Sequence, residues 1–443
     1  MRKGVHLIIG LIGGLILASV CLAAEPGGQH DMQGMAGMDQ HGMWMEMTAG
    51  SLAEQIRSHD TSGTSAEPDS TPTPMFMMNK GAWTLMFHGM AFISDIQQTG
   101  PRGRDKLFSV NWFMPMAQRR LGRGTLTLRT MLSLEPATIT GRFYPLLFQQ
   151  GETAYGNPLV DGQHPHNFFM EVAALYDARL GGNTLLSFYA APVGDPALGP
   201  TAYPHRASAS EDPAATLGHH LQDSTHISYD VLTAGLTYKV ARLEFSGFHG
   251  REPGENRWDI DAGRIDSWST RLTVNPAHNW SGQYSIGRLK SPEQLDPNED
   301  VLRMTASLMY NRAITGGNWT SSLIWGRNFT LPQHEVYNGY LLESTLRFRK
   351  RNSVWGRVEN VDRTNELLLD GNPEPPGFVE RFLARVQAYT LGYDRDVHVI
   401  PHLAVAPGGQ ITFYGAPGSL QPIYGARPVG VVVFLRLRPY SND

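Results

Sequence analysis

PVGVVVFLRLR, residues 428–438, decides how this chain folds. Successive side chains of a strand project to opposite faces. Val429, Val431, Val433, Leu435 and Leu437 therefore share one face, and Gly430, Val432, Phe434, Arg436 and Arg438 share the other. The pattern recurs at 125–135, where Leu126, Leu128, Thr130, Leu132 and Leu134 oppose Thr127, Arg129, Ser133 and Glu135. It recurs again at 301–311, where Leu302, Met304, Ala306, Leu308 and Tyr310 oppose Arg303, Thr305, Ser307 and Asn311. A ten-residue strand, apolar on one side and charged on the other, suits a barrel with lipid outside and water within. A soluble sandwich strand alternates too, so strand spacing has to decide.

The spacing favours the barrel. About sixteen strand candidates run from 81–95 to 428–438. Short connections such as 121–123, 181–182, 240–241, 276–278, 316–317 and 350–352 alternate with long ones such as 96–106, 135–166, 192–226, 251–263 and 364–378. Outer-membrane barrels sort their turns this way, short on the periplasmic side and long outside. The expectation is an all-β, transmembrane, antiparallel up-and-down barrel of about 16 strands with a disordered N-terminal tail.

Composition agrees. Of 443 residues 18% are charged, against roughly 25% in an ordinary soluble protein. A net charge of −4 gives no basic surface for nucleic acid. Arg2 and Lys3 precede the apolar run Leu7–Val20, and Ala23-Ala24 follows. Residues 1–24 thus read as an export signal. Cleavage there would remove Cys21, the sole cysteine. Residues 25–48 form a Met/His-rich tail, 49–74 a Ser/Thr/Pro-rich linker expected to be disordered, and 75–443 the barrel. Export plus barrel places the chain in the outer membrane of a Gram-negative-type bacterium, with the tail in the periplasm.

Two clusters carry chemistry. The tail holds His30, Met32, Met35, Met38, His41, Met43, Met45 and Met47. Thioethers suit Cu(I), and imidazoles suit Cu(II) and other borderline ions. Gly34 and Gly37 argue against an amphipathic helix as the reason for the methionines. The second cluster lies in the two longest loops. It comprises His164, His166, His205, His219, His220, Asp223 and His226, with Glu152 near by. Seven of the sixteen histidines fall between 164 and 249. The bland alternative is a polar loop network that plugs the lumen. Arg129, Arg271, Arg303, Arg357, Glu359, Arg385, Arg436 and Arg438 are expected to face the lumen, with structural ion pairing the simpler role. Asp223-Ser224-Thr225-His226 invites an esterase reading, but no Gly-x-Ser-x-Gly elbow surrounds the serine. No enzyme activity and no organic cofactor are expected.

Signal, Met/His tail, linker and barrel together resemble the layout of B-type copper-resistance outer-membrane proteins. That resemblance implies copper or related soft-metal binding, resistance or export, a copper ion as ligand, and periplasmic metal carriers as partners beside outer-membrane lipid. The segments Tyr144–Gln149, Gly151–Thr153, Pro158–Asp161, His164–His166 and His219–His226 resemble an uncharacterised bacterial outer-membrane β-barrel family, which implies no activity. The rival expectation is a general porin or small-molecule channel with structural loop histidines, and a barrel-borne esterase or lipase comes third.

Overall fold

The computed structural model describes residues 43–59, 61–400 and 402–439. Sixteen strands make the wall. In order, β1–β8 are Trp83–Gln98, Lys106–Leu121, Gly124–Leu132, Phe169–Gly181, Thr184–Gly194, Ser228–Tyr238, Ala241–His249 and Ser267–Ala277. Strands β9–β16 are Trp280–Leu289, Asp300–Ile314, Gly317–Leu331, Val336–Phe348, Asn352–Thr364, Phe382–Arg395, Leu403–Gly415 and Val429–Pro439. Each pairs antiparallel with the next. The ring closes where β16 meets β1, with Gly430 opposite Gln98 and Leu437 opposite Ala91.

The faces follow the alternation. Val433 is 61% exposed, while its neighbours Val432 and Phe434 are 4% exposed. Val431, Leu128 and Leu308 are exposed in the same way. Arg129, Arg271, Arg303 and Arg436 are fully buried. A soluble sandwich would reverse this, so the exposed apolar belt identifies a lipid-facing wall. Trp280, Tyr310 and Trp319 meet at its short-turn end, tilted and edge-to-face, with centroids 4.7 and 6.2 Å apart. Amphipathic rings favour that interfacial depth.

The linker expectation for 49–74 is corrected. Leu52–Ser58 is a helix capped by Ser51, whose hydroxyl accepts from the Glu54 amide at 3.3 Å. The segment that follows is buried against the inner wall. Wall side chains satisfy its polar backbone, which an isolated segment could satisfy only with water. Arg129 donates to the His59 carbonyl at 2.6 Å. Arg242 donates to Thr64 at 3.1 Å, Asn275 to Glu67 at 3.0 Å, and Asn311 to Ser70 at 2.7 Å. The His59 ring meets Asp177 at 2.6 Å. Gly63, at φ +53°, lies so close to the wall that a Cβ there would sit 2.6 Å from that of Asp195. The chain then leaves along Thr73–Lys80, which pairs with the lower part of β1 (Phe76 opposite Phe87).

Candidate functional site

A sixteen-stranded barrel has room for an aqueous channel. Here the two longest loops, 133–168 and 195–227, fold into it. Loop 195–227 bridges the wall. Near its start the Ala197 and Gly199 amides donate to Ser246 and Ser285 at 2.8 and 2.9 Å. Farther along, Arg206 pairs with Glu343 at 2.6 Å, Asp212 with Arg357 at 3.0 Å, and Glu211 with Arg436 and Arg438 at 2.7 and 2.8 Å. Its short helix His219–Gln222 packs on Gly326, where any Cβ would meet the Leu221 carbonyl at 2.1 Å. Loop 133–168 contributes an apolar plug. Tyr144 stacks on Phe108 at 4.5 Å, and Phe148 on Tyr424 at 4.0 Å.

The loop histidines meet. His164 Nε2 meets Glu152 Oε1. His220 Nε2 is 3.4 Å from the same Glu152 oxygen, and His220 Nδ1 is 3.6 Å from Glu252. His219 lies 5.3 Å from His220 and 5.2 Å from His226, ring to ring, and His226 lies 5.3 Å from His166. These inner rings are oriented through Nδ1. His219 bonds Asp223 at 2.7 Å, His226 the Asp223 carbonyl at 2.8 Å, and His166 Glu135 at 2.9 Å. Tyr203 closes the group, its hydroxyl 3.3 Å from His166 Nε2. His205 stands apart, on Trp112 at 4.3 Å, with His88 at 4.7 Å from the same ring.

Burial is the largest influence on these loop groups. It holds His164 down to about 4, with Arg257 adding to the effect. Burial also drives His205 and His226 well below the ordinary imidazole value. His220 is raised instead, because Glu252 and Glu152 outweigh its burial. Burial would raise Glu152, but His164, His220 and Arg257 hold it low.

Above these rings opens a pocket of about 430 Å³ at the long-loop end, lined by Glu152, Glu252, Glu293, Asp296, Glu366 and Glu380 among others. Burial and mutual repulsion push Glu293 and Glu366 well above the carboxylate range, and Glu380 up to about 7. A second pocket, of about 920 Å³, opens at the short-turn end between Thr71–Pro74, His88, Trp112, His205 and Arg438. Beside it a buried cluster gathers Met75, Met86, Met114, Met116, Met131 and Met170.

The expected residues fare unequally. His164, His166, His219, His220, Asp223 and His226 come together, and His205 sits nearer the second pocket. His30, Met32, Met35, Met38 and His41 lie outside the described residues, as does the export signal 1–24. Met43, Met45 and Met47 fall in the strand Met43–Met47, with Met43 opposite Met77 and Met45 opposite Met75. Seven of the eight expected lumen residues point inward into bonds. Arg129 meets Glu171 at 2.6 Å, Arg271 Glu244 at 3.0 Å, Arg303 Asn328 at 2.9 Å, and Glu359 the Leu217 amide at 2.5 Å. Arg357, Arg436 and Arg438 hold loop 195–227.

Arg385 is the exception, and the lumen assignment is corrected. Its side chain is 43% exposed, pairs with Asp362 at 2.6 Å, and lies over the outward ring of Tyr340. Ala384 and Val386 take the inward positions on either side. Near the long-loop end of β14, an outward guanidinium can reach polar headgroups. Ser224 bonds Arg303 at 2.7 Å and Glu252 at 3.3 Å, and His226 has no hydrogen bond to it. The serine–histidine contact that an esterase needs is therefore not formed. Sequence reasoning missed Glu252, Glu293, Asp296, Glu366 and Glu380. They come from three separate loops, and only the acidity of those loops hinted at them.

No known protein family and no curated protein matches the sequence. The likeness to B-type copper-resistance proteins thus gains no support. Among solved structures, an anion-selective porin from Comamonas acidovorans is 12% identical, covering 80% of this chain and 99% of that chain at a TM-score of 0.49. OmpF of Salmonella typhi in complex with daunomycin is 8% identical, covering 81% and 99% at 0.49. The outer membrane channel DcaP of Acinetobacter baumannii is 9% identical, covering 81% and 98% at 0.44.

Proposed function

We propose that the chain is an outer-membrane channel whose lumen is closed at rest by its own loops and N-terminal segment, and whose outer mouth favours cations. One observation carries this reading. A carboxylate-lined pocket opens at the long-loop end and reaches Glu152 beside buried imidazoles, while loops 133–168 and 195–227 and the segment 49–74 fold into the lumen. Rings of carboxylates select cations, as they do in other pores. The sorting of turns supports a periplasmic location for the short-turn end, where Thr73–Lys80 lies beside the strand Met43–Met47. The test is single-channel recording of the full-length chain in planar bilayers. Conductance should be small, and reversal potentials across a KCl gradient should report cation selectivity. A large steady conductance, or anion selectivity, would reject the reading.

A second reading is copper or related soft-metal handling, with ions captured by the tail and exchanged with periplasmic carriers. The buried methionine cluster beside His88 favours it, since thioethers bind Cu(I). Deleting 25–48 should lower bound copper and metal tolerance while solute flux stays intact. Unchanged copper binding would remove the tail from the mechanism.

A further inference from the structure

We propose that Glu152, His164 and His220 hold one divalent transition-metal ion of borderline character, of the Zn²⁺ or Cu²⁺ kind, at the inner end of the acidic outer pocket. The site rests on the channel reading only for how the ion arrives. One ligand atom from each residue lies within 4.8 Å of the others. Tetrahedral zinc bonds of about 2.0–2.2 Å put the ligand atoms about 3.4 Å apart. His220 Nε2 already stands 3.4 Å from the Glu152 oxygen, and the touching His164 and Glu152 atoms must part a little, a movement within side-chain reach.

The hydrogen bonding leaves these atoms for a cation. His164 Nδ1 is 2.8 Å from the Pro165 carbonyl, which can only accept. In the neutral ring Nδ1 therefore carries the one proton, and Nε2 turns its lone pair toward the Glu152 carboxylate, itself an acceptor. Acceptor facing acceptor is repulsive until a cation sits between them. His220 is 8% exposed, and neither of its ring nitrogens makes a hydrogen bond. Its nearest acceptors, at 3.4 and 3.6 Å, are the Glu152 and Glu252 carboxylates. Arg257 binds the other Glu152 oxygen at 3.2 Å and so leaves Oε1 to the two rings. Gly151, at φ +95°, brings the backbone over His220, where a Cβ would already lie 3.4 Å from the ring.

Two imidazoles and one carboxylate suit a borderline ion, and they suit calcium poorly, because calcium takes six to eight oxygens. Glu293, Asp296 and Glu380 form a second convergent group, all oxygen, in the same pocket. It would concentrate cations without choosing among them. Beyond the site, His219 lies one ring away and continues the path inward.

The experiment uses the full-length chain in lipid nanodiscs, stripped with EDTA and titrated calorimetrically with Zn²⁺. One tight equivalent should disappear in the His164→Gln/His220→Gln double variant, and Ca²⁺ should not compete for it. Retention of that equivalent, or equal competition by Ca²⁺, overturns the site. Heat-modifiable migration checks folding. If the double variant fails to fold, the near-isosteric Glu152→Gln replaces it, with the same loss expected and retention equally fatal. Bilayer recordings separate the two proposals. A bound equivalent without cation-selective conductance refutes the channel and leaves the site standing, and the converse result does the opposite.

Discussion

Three polypeptide segments fill this lumen, and the N-terminal one is held unlike the two loops. Residues 49–74 are gripped by the wall. Arg129, Arg242, Asn275 and Asn311 each donate to a backbone carbonyl, and the His59 ring meets Asp177, while Gln55 Oε1 and Thr71 Oγ1 are left without a hydrogen bond. The histidine end of loop 195–227 and its neighbours in loop 133–168 leave partners over. Buried nitrogens of His164, His220 and His226 make no hydrogen bond. A satisfied buried network rigidifies, and an unsatisfied one marks where something else binds or moves. The lower filling therefore reads as structure and the upper one as the working part.

The largest expected effect breaks the lower filling outright. Deleting residues 51–72 should raise single-channel conductance several-fold, because the β4–β10 side of the lumen loses its occupant. Unchanged conductance would mean that the loops alone seal the pore. A smaller step is Arg129→Ala, which strands Glu171 and frees the His59 carbonyl. It should cost about 3–5 kcal/mol in denaturant unfolding and expose 49–74 to protease. A loss below about 1 kcal/mol would show that this grip is surface-like.

The smallest effect concerns the upper filling and is a matter of pH. Burial, with repulsion from neighbouring carboxylates, raises Glu299 and Glu380 to about 7 in the folded chain, against 4.5 for a free glutamate. Both bind protons more tightly when folded. Their contribution to stability is complete below about pH 4.5 and is lost as pH rises through about 7. Amide protection of loop 290–299 should thus fall between about pH 6 and about pH 8, and Glu380→Gln should flatten the fall. Protection that rises with pH would contradict the assignment. In the gripped segment burial raises Asp69 only to about 6, so protection there should fall at a lower pH than in loop 290–299.

The wall was legible in the sequence. All sixteen strand candidates are observed, with boundaries shifted by a few residues, because period-two alternation is a local property. The order in 49–74 was not legible. Its Ser, Thr and Pro residues have the composition of a linker, and what orders them comes from Arg129, Asn275 and Asn311, far away in the chain. The meeting of the loop histidines could be foreseen from the two long loops, but the carboxylate mouth could not. Its members are scattered over 252, 293, 296, 366 and 380, and only closure of the ring brings them together. Arg385 shows the limit of reading faces from charge alone. At the end of a strand the outward side is polar again, so a guanidinium is welcome on either face.

Loop 195–227 leaves the wall at β5, returns at β6, and fastens in between to Glu343, Arg357, Arg436 and Arg438 on β12, β13 and β16. The consequence is mechanical. A wide water-filled cylinder can flatten under the lateral pressure of a bilayer, since its hydrogen bonds fix the circumference and not the roundness. A strut joined by the chain and serine hydrogen bonds on one side and by buried ion pairs on the other sets the diameter as well, so the cross-section is a property of this chain rather than of the lipid around it.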